Sequence, residues 1–187
     1  MTLILASASP RRQELLRNAG LDFAVQPSGI AEELRDGEAP EAHALRLAAE
    51  KARAVFATQP ERVVLGADTV VLLDGLLLGK PRDPEDAARV LRLLAGKSHR
   101  VMTAVCLVGP GFEDLRSATT TVTMTPISEL EIRQYVDTGE PMDKAGAYAI
   151  QGMASRWIST IEGCYFNVVG LPVPLVYAML RAHGALP

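Results

Sequence analysis

The sequence predicts an α/β fold, and three observations lead there. Apolar segments of strand length recur at residues 3–6, 23–26 and 63–67. Each gap between them holds a helix-start signal with proline at the first helical position, and strand and helix alternate along the chain before the first hairpin. At 187 residues, 48% of them hydrophobic, the chain is long enough to bury a substantial core but short for two independent domains. One domain over residues 1–187 is expected, cleft into two lobes.

Residues 3–6 form a short buried strand. Ser9 followed by Pro10 is an N-cap with proline at the first turn, opening a helix that Gly20 closes. Residues 23–26 make a second strand and 27–37 a loop. Pro40 then starts a helix whose apolar face is assigned to Leu45, Ala48, Ala49, Ala52, Val55 and Phe56, with Lys51 at the edge of that face. Residues 63–67 run continuously apolar into Asp68, apolar character resumes at Val70, and Asp74-Gly75 is a hairpin turn. Asp83-Pro84 caps a helix through Leu94 that Gly96 stops. Residues 100–108 and 118–124 are paired strands around Gly109-Pro110-Gly111, and Ser128-Glu129-Leu130-Glu131 is a capping box. A strand at 157–161, a Gly/Cys/Asn loop and a final helix from Pro172 toward Gly184 complete the chain.

Charge and composition exclude several classes of partner. A net charge of −3 argues against a broad basic surface for a polynucleotide backbone, and four Phe, four Tyr and one Trp are too few for a base-stacking platform. No nucleic-acid partner is expected. The N-terminus opens without the basic and long apolar regions of a secretory signal, and no later apolar run approaches spanning length, so a cytoplasmic protein with no membrane partner is expected. Cys106 and Cys164 lack metal-ligand spacing and the three histidines are scattered, which disfavours zinc and leaves both thiols as core residues.

Three constellations carry chemistry. In Ser7-Ala8-Ser9-Pro10-Arg11-Arg12 a strand ends and a helix begins, so backbone amides, the helix dipole, two hydroxyls and two guanidiniums converge as they would on phosphate oxygens. The plainer alternative is an N-cap with two solvated arginines. Asp68 stands inside an apolar run, where an ionised carboxylate needs a cleft edge or a cation beside it; lysine or magnesium would serve. Its plainer alternative is a strand-end aspartate capping a turn. Gly79-Lys80-Pro81 resembles a phosphate loop at first sight, but Gly75 is one residue too close and Pro81 replaces the metal-binding hydroxyl; Gly96-Lys97-Ser98 fails because Leu91 replaces the upstream glycine. Only Lys51, Lys80, Lys97 and Lys144 are lysine among 19 basic residues, and each marks a candidate place for a compact charge. Glu32 and Glu33, just before the helix carrying Lys51, are the best additional carboxylates. Gly146, Gly152 and Gly170 are assigned to backbone requirements.

Taken together, Ser7-Ala8-Ser9-Pro10-Arg11-Arg12, Glu50-Lys51-Ala52, Gly66-Ala67-Asp68-Thr69-Val70, Gly79-Lys80-Pro81, His99-Arg100-Val101-Met102-Thr103, the block from Asp143-Lys144-Ala145-Gly146 to Gln151-Gly152, and Asn167-Val168-Val169-Gly170-Leu171-Pro172 resemble the Maf family of nucleoside triphosphate pyrophosphatases, once described as septum formation inhibitors. The resemblance implies a mixed, curved central sheet flanked by helices, two lobes with an active-site cleft, and a distant likeness to the Ham1-type inosine triphosphate pyrophosphatases. It also implies a divalent metal, magnesium or manganese, and a homodimer. Family roles fall on Ser7, Ser9, Arg11 and Arg12 for the phosphates, Lys51 and Lys80 for charge neutralisation, and Asp68 for catalysis. The acidic residue after the second strand matches Glu32, but Ala31 replaces an aspartate often found before it, so Glu32 and Glu33 both stay open. Asp68 and that glutamate are the implied metal ligands.

Arg12, Thr69 and Gln151 resemble the branch acting on dTTP and UTP. A glutamine amide offers a donor and an acceptor together, which suits the N3–H and O4 of thymine or uracil. The implied reaction is hydrolysis of the triphosphate to monophosphate and pyrophosphate, serving nucleotide-pool sanitation, with CTP and modified pyrimidine nucleotides as further candidates. Two rivals stand beside it: a non-catalytic, nucleotide-sensing regulator of septum formation, and a nucleotide-dependent nucleic-acid binder, which the acidic balance disfavours.

Overall fold

The computed structural model describes residues 3–186. Strand β1 (Leu3–Leu5) leads through the Ser/Arg loop into α1 (Pro10–Asn18), where the Ser9 side chain caps the helix and Ala19 and Gly20 end it, Gly20 in the left-handed region that closes helices. After β2 (Phe23–Val25) an irregular stretch leads to α2 (Pro40–Phe56). Strand β3 (Val63–Leu73) turns through Asp74 and Gly75, both at positive φ, into β4 (Leu76–Leu78), as the Asp-Gly dipeptide predicts. Then follow α3 (Pro84–Leu94), β5 (Ser98–Gly109), β6 (Phe112–Met124), α4 (Glu129–Asp137), β7 (Ile158–Glu162), α5 (Tyr165–Val169) and α6 (Val173–Ala182). Asp83 caps α3, and both bonds of the capping box form at α4. None of these helices is long and apolar enough to cross a membrane.

The strands form one mixed, seven-stranded sheet in the order β2-β1-β3-β5-β6-β7, with β4 paired to β3, and the helices flank it. Packing divides the chain into two compact units. The first takes the residues up to Thr69, Thr103–Ala118 and those from Gly170 onward; the second takes Val70–Met102 and Thr119–Val169.

In the first unit β1 pairs in parallel with both β2 and β3, with Leu3 opposite Phe23 on one side and Val63 on the other. Such parallel neighbours require crossover helices, and α1 and α2 supply them. The fully buried side chains here include Leu3, Leu5, Leu16, Leu47, Leu65 and Leu107, and Cys106 is buried among them, its thiol pushed up to about 12 by desolvation. The buried stripe of α2 is turned toward Ala44 and Leu47, away from the predicted Leu45 and Phe56, and this rotation carries Lys51 inside the stripe instead of leaving it at the edge. The helix can lie that close to β3 because Gly66 has no side chain: a β-carbon there would stand 2.7 Å from the Ala52 amide nitrogen and 3.0 Å from the Ala52 β-carbon.

In the second unit β4 pairs antiparallel with the distal part of β3, and β7 pairs antiparallel with β6. Leu72, Leu91, Leu94, Met124, Ile132 and Tyr135 are its largest fully buried side chains. The predicted Gly/Cys/Asn loop contains α5, a five-residue helix without its own start signal. It is held by tertiary bonds, since the Asn167 amide donates to the Val101 carbonyl and to Thr120 Oγ1, both at 2.9 Å. Three short 3₁₀ turns, Glu140–Asp143, Ala145–Ala147 and Met153–Trp157, were likewise not predicted. Gly146 occupies positive φ with the Val71 side chain 3.0 Å from where a β-carbon would lie, the backbone requirement assigned to it. His99 is 2% exposed in this unit, with Nε2 2.8 Å from the Tyr148 hydroxyl and no partner for Nδ1 among the described residues.

Two outcomes follow for stability. Gly66→Ala should destabilise the protein by roughly 1–3 kcal/mol through overpacking against α2, measured by urea denaturation; wild-type stability would show that helix and strand have room to part. Burial lowers the His99 pKa from 6.5 to about 4. Between those values the unfolded chain binds the proton and the folded chain does not, so stability is fully present above pH 6.5 and is lost as pH falls toward 4, by roughly 3 kcal/mol. Denaturation curves at pH 7 and 4.5 should converge in His99→Leu relative to wild type; an unaltered pH dependence would contradict the assignment.

Candidate active site

The strand order places a crevice before any side chain is considered. From β1 the chain crosses to β2 on one side and returns to β3 on the other, so the carboxyl end of β1 is a switch point, where α/β sheets bind ligands. The Ser/Arg loop occupies that end. Strand β1 stops at Leu5, the Ala6 amide still reaches the Leu65 carbonyl at 2.8 Å, and beyond it Arg12 reaches the edge of β3. Arg12 Nη1 donates to the Ala67 carbonyl at 2.9 Å and to Ser7 Oγ at 3.3 Å, Nη2 donates to Thr69 Oγ1 at 3.1 Å, and Nε donates to the Gly170 carbonyl at 2.9 Å. Four of its five N–H groups are thus directed at protein acceptors, which makes Arg12 a brace of the loop more than a mobile phosphate clamp. Burial lowers its pKa, while the charges of Asp68 and Glu32 raise it.

Thr69 Oγ1 also lies 2.9 Å from Thr103 Oγ1, and Gly170 presents its carbonyl to Arg12 from a backbone at φ +129°. Gly170 therefore has the backbone role assigned to it, together with a hydrogen-bonding one that its residue type did not signal. Ser7 is buried and its hydroxyl accepts from the Ser9 amide at 3.2 Å; Ser9 in turn accepts from the Arg12 amide at 3.5 Å. Arg11 stands in the first turn of α1, half-buried.

Successive side chains of a strand point to opposite faces, so Asp68 faces away from Thr69 and toward α2, as Gly66 does. There Lys51 Nζ lies 2.7 Å from Asp68 Oδ1 and 2.5 Å from Glu32 Oε1. Lys51 is 6% exposed, Asp68 is 7% exposed, and the Glu32 side chain is half open to solvent. Asp68 is therefore a buried, paired carboxylate in mid-strand, not a turn-capping residue at a strand end. Of the two open glutamates, Glu32 places its carboxylate on Lys51, whereas Glu33 offers its backbone carbonyl to Arg46 at 2.9 Å.

Among the described residues no group of three or more His, Cys, Asp or Glu side chains could hold a metal ion. The donor set still fits magnesium or manganese: Asp68 and Glu32 converge on one cationic nitrogen, and a hard divalent ion on a triphosphate takes only one or two protein carboxylates, filling its shell with water and phosphate oxygens.

The first unit thus brings together Ser7, Ser9, Arg12, Glu32, Lys51, Asp68 and Thr69. Lys80 and Gln151 belong to the second unit. Lys80 is exposed just after β4, beside Gly79, whose carbonyl accepts from the Gly146 amide at 3.1 Å. Gln151 is exposed on a turn held from both sides: the Ala149 amide donates to the Tyr135 hydroxyl at 3.1 Å and the Met153 amide to Glu140 Oε1 at 3.2 Å. A β-carbon at Gly152 would collide with the Glu140 carboxylate, which explains that glycine. Lys144 forms an ion pair with its neighbour Asp143 and stays in its turn.

Known proteins resemble this chain along nearly its whole length. A protein from Koribacter versatilis (strain Ellin345) named dTTP/UTP pyrophosphatase is 56% identical over 186 residues, covering 100% of this chain and 96% of that protein. Proteins of the same name from Symbiobacterium thermophilum and Syntrophomonas wolfei subsp. wolfei are 49% and 47% identical over 182 residues each, covering 97% and 96% of this chain and 94% and 96% of theirs. The solved structure of the Staphylococcus aureus Ham1 protein matches with a TM-score of 0.51 at 13% identity, covering 98% of this chain and 100% of that one, a likeness of fold alone. The profile of the family described as Maf-like protein matches residues 2–183, and the chain belongs to that family.

Proposed function

We propose that this chain hydrolyses dTTP and UTP to the monophosphate and pyrophosphate with the help of a divalent cation. The observation that carries the reading is the Lys51 ammonium held between Asp68 and Glu32 beside the switch point of the sheet. A site that only bound a triphosphate would have little use for two carboxylates facing its charge, whereas hydrolysis needs a proton acceptor and a place for a metal. The names and high identities of the relatives support the same reaction.

Asp68 and Glu32 would hold the cation, which when bound neutralises triphosphate charge and lowers the pKa of water. As a water oxygen adds to the α-phosphorus, Asp68 takes its proton, and the α–β bridging oxygen departs with the pyrophosphate. Lys51 holds the Asp68 carboxylate in place and offsets charge developing on the α-phosphoryl oxygens; Lys80 is assigned the charge of the leaving pyrophosphate. Ser7, Ser9, Arg11 and the loop amides receive the phosphate chain, with Arg12 and Thr69 fixing the loop's shape. Gln151, its amide exposed on a braced turn, is assigned to the base, where it complements the N3–H and O4 of thymine or uracil. The proposal extends to a homodimer acting in the cytoplasm on nucleotide-pool sanitation, as the family resemblance implies.

Wild type and Asp68→Asn should be compared against a panel of nucleoside triphosphates with Mg²⁺ or Mn²⁺, resolving products by phosphorus NMR. Wild type should release monophosphate and pyrophosphate, fastest with dTTP or UTP, and Asp68→Asn should lose on the order of 10²-fold or more in turnover while still binding nucleotide. Unchanged turnover in the variant would remove Asp68 from this role. Binding without turnover in the wild type would return the protein to the nucleotide-sensing reading.

A further inference from the structure

Glu32 lies in a stretch, residues 26–39, with no regular structure beyond a turn at 36–37, yet its carboxylate is placed on a buried lysine. A half-exposed side chain on an irregular loop needs something else to hold it there. The loop is attached to α2 at several points, and several of the bonds pass through one guanidinium. Arg46 Nε and Nη2 form a fork on the Glu38 carboxylate at 2.6 and 2.7 Å, Nη2 also donates to the Glu33 carbonyl at 2.9 Å, and Nη1 donates to Glu50 at 3.0 Å. Glu50 accepts from Arg35 of the loop at 2.8 Å, and His43 Nδ1 stands 3.0 Å from Glu38. The Arg46 and Glu38 side chains are only 16% and 11% exposed.

We propose that Arg46 is the positioning residue for Glu32. It grips the carbonyl of the next residue, Glu33, and anchors the far end of the loop through Glu38, so that Glu32 is presented to the same helix that carries Lys51. A fork of this kind is both strong and directional, which a lysine at position 46 could not reproduce. The bonds from Arg46, His43 and the Arg35 amide also hold the Glu38 carboxylate far below the usual carboxylate range. Groups that orient a metal-binding side chain without touching the metal act through its geometry. The inference rests on the reading of Glu32 as a metal-binding carboxylate given above.

The test is Mn²⁺ titration of the full chain with a non-hydrolysable α,β-imido analogue of dTTP, followed by electron paramagnetic resonance, alongside turnover of dTTP. Arg46→Met combined with Glu38→Gln removes both partners, so no unpaired buried charge is left to unfold the protein, and the melting temperature is recorded for each variant. With Glu32 intact, this pair of substitutions should weaken Mn²⁺ binding about tenfold or more. In a Glu32→Gln background, already weakened, it should cost nothing further, because the residue through which Arg46 acts is gone. An equal loss in both backgrounds would make Arg46 a purely structural residue and overturn the proposal, as would unchanged Mn²⁺ affinity with Glu32 present. Wild-type Mn²⁺ affinity in Glu32→Gln alone would remove the reading of Glu32 itself, and the proposal with it.

Discussion

The contact on which the first unit depends is the ion pair between Lys51 and Asp68. A carboxylate in the middle of a strand flanked by Val63, Val64, Leu65, Val70 and Val71, all nearly or fully buried, would be costly without a cation. Supplying that cation from α2 constrains much else. The helix must lie close to β3, which requires a residue with no side chain at Gly66. Its buried stripe must be rotated so that a lysine stands among Ala48, Ala52 and Val55. One ammonium then has hydrogen-bonding capacity to spare, and Glu32 takes it up.

The opposite face of β3 solves a different problem with an arginine. Where β1 ends, the Ala67 carbonyl would lack a strand partner; Arg12 satisfies it and ties in Ser7, Thr69 and the Gly170 carbonyl. Three consecutive residues, Ala67, Asp68 and Thr69, thus anchor the key side chains of both crossover helices. The division of labour follows from geometry: a planar fork suits several carbonyl and hydroxyl acceptors, and a compact ammonium suits two converging carboxylates.

Much of this was legible in the sequence because it rests on local rules. The N-caps at Ser9, Asp83 and Ser128, the Asp74-Gly75 turn and the apolar run of β3 are written in neighbouring residues, and the motif residues Ser7, Arg12, Lys51, Asp68 and Thr69 lie in one unit. What escaped was set by distant partners. The rotation of α2 goes with its close approach to β3 at Gly66, which the helix's own periodicity does not encode. Helix α5 exists because Asn167 reaches Val101 and Thr120, and the choice of Glu32 over Glu33 depends on a loop closed by Arg46, whose partners lie 8 and 13 residues away.

The central claim is that Lys51 makes the Asp68 carboxylate tolerable at the heart of the sheet, and a double-mutant cycle in urea tests it most directly. Lys51→Met alone should cost roughly 3–5 kcal/mol by leaving Asp68 without its cation. Combining it with Asp68→Asn should recover at least about 2 kcal/mol of the summed single losses. Losses that simply add would show that the two residues do not depend on one another, and would contradict the account.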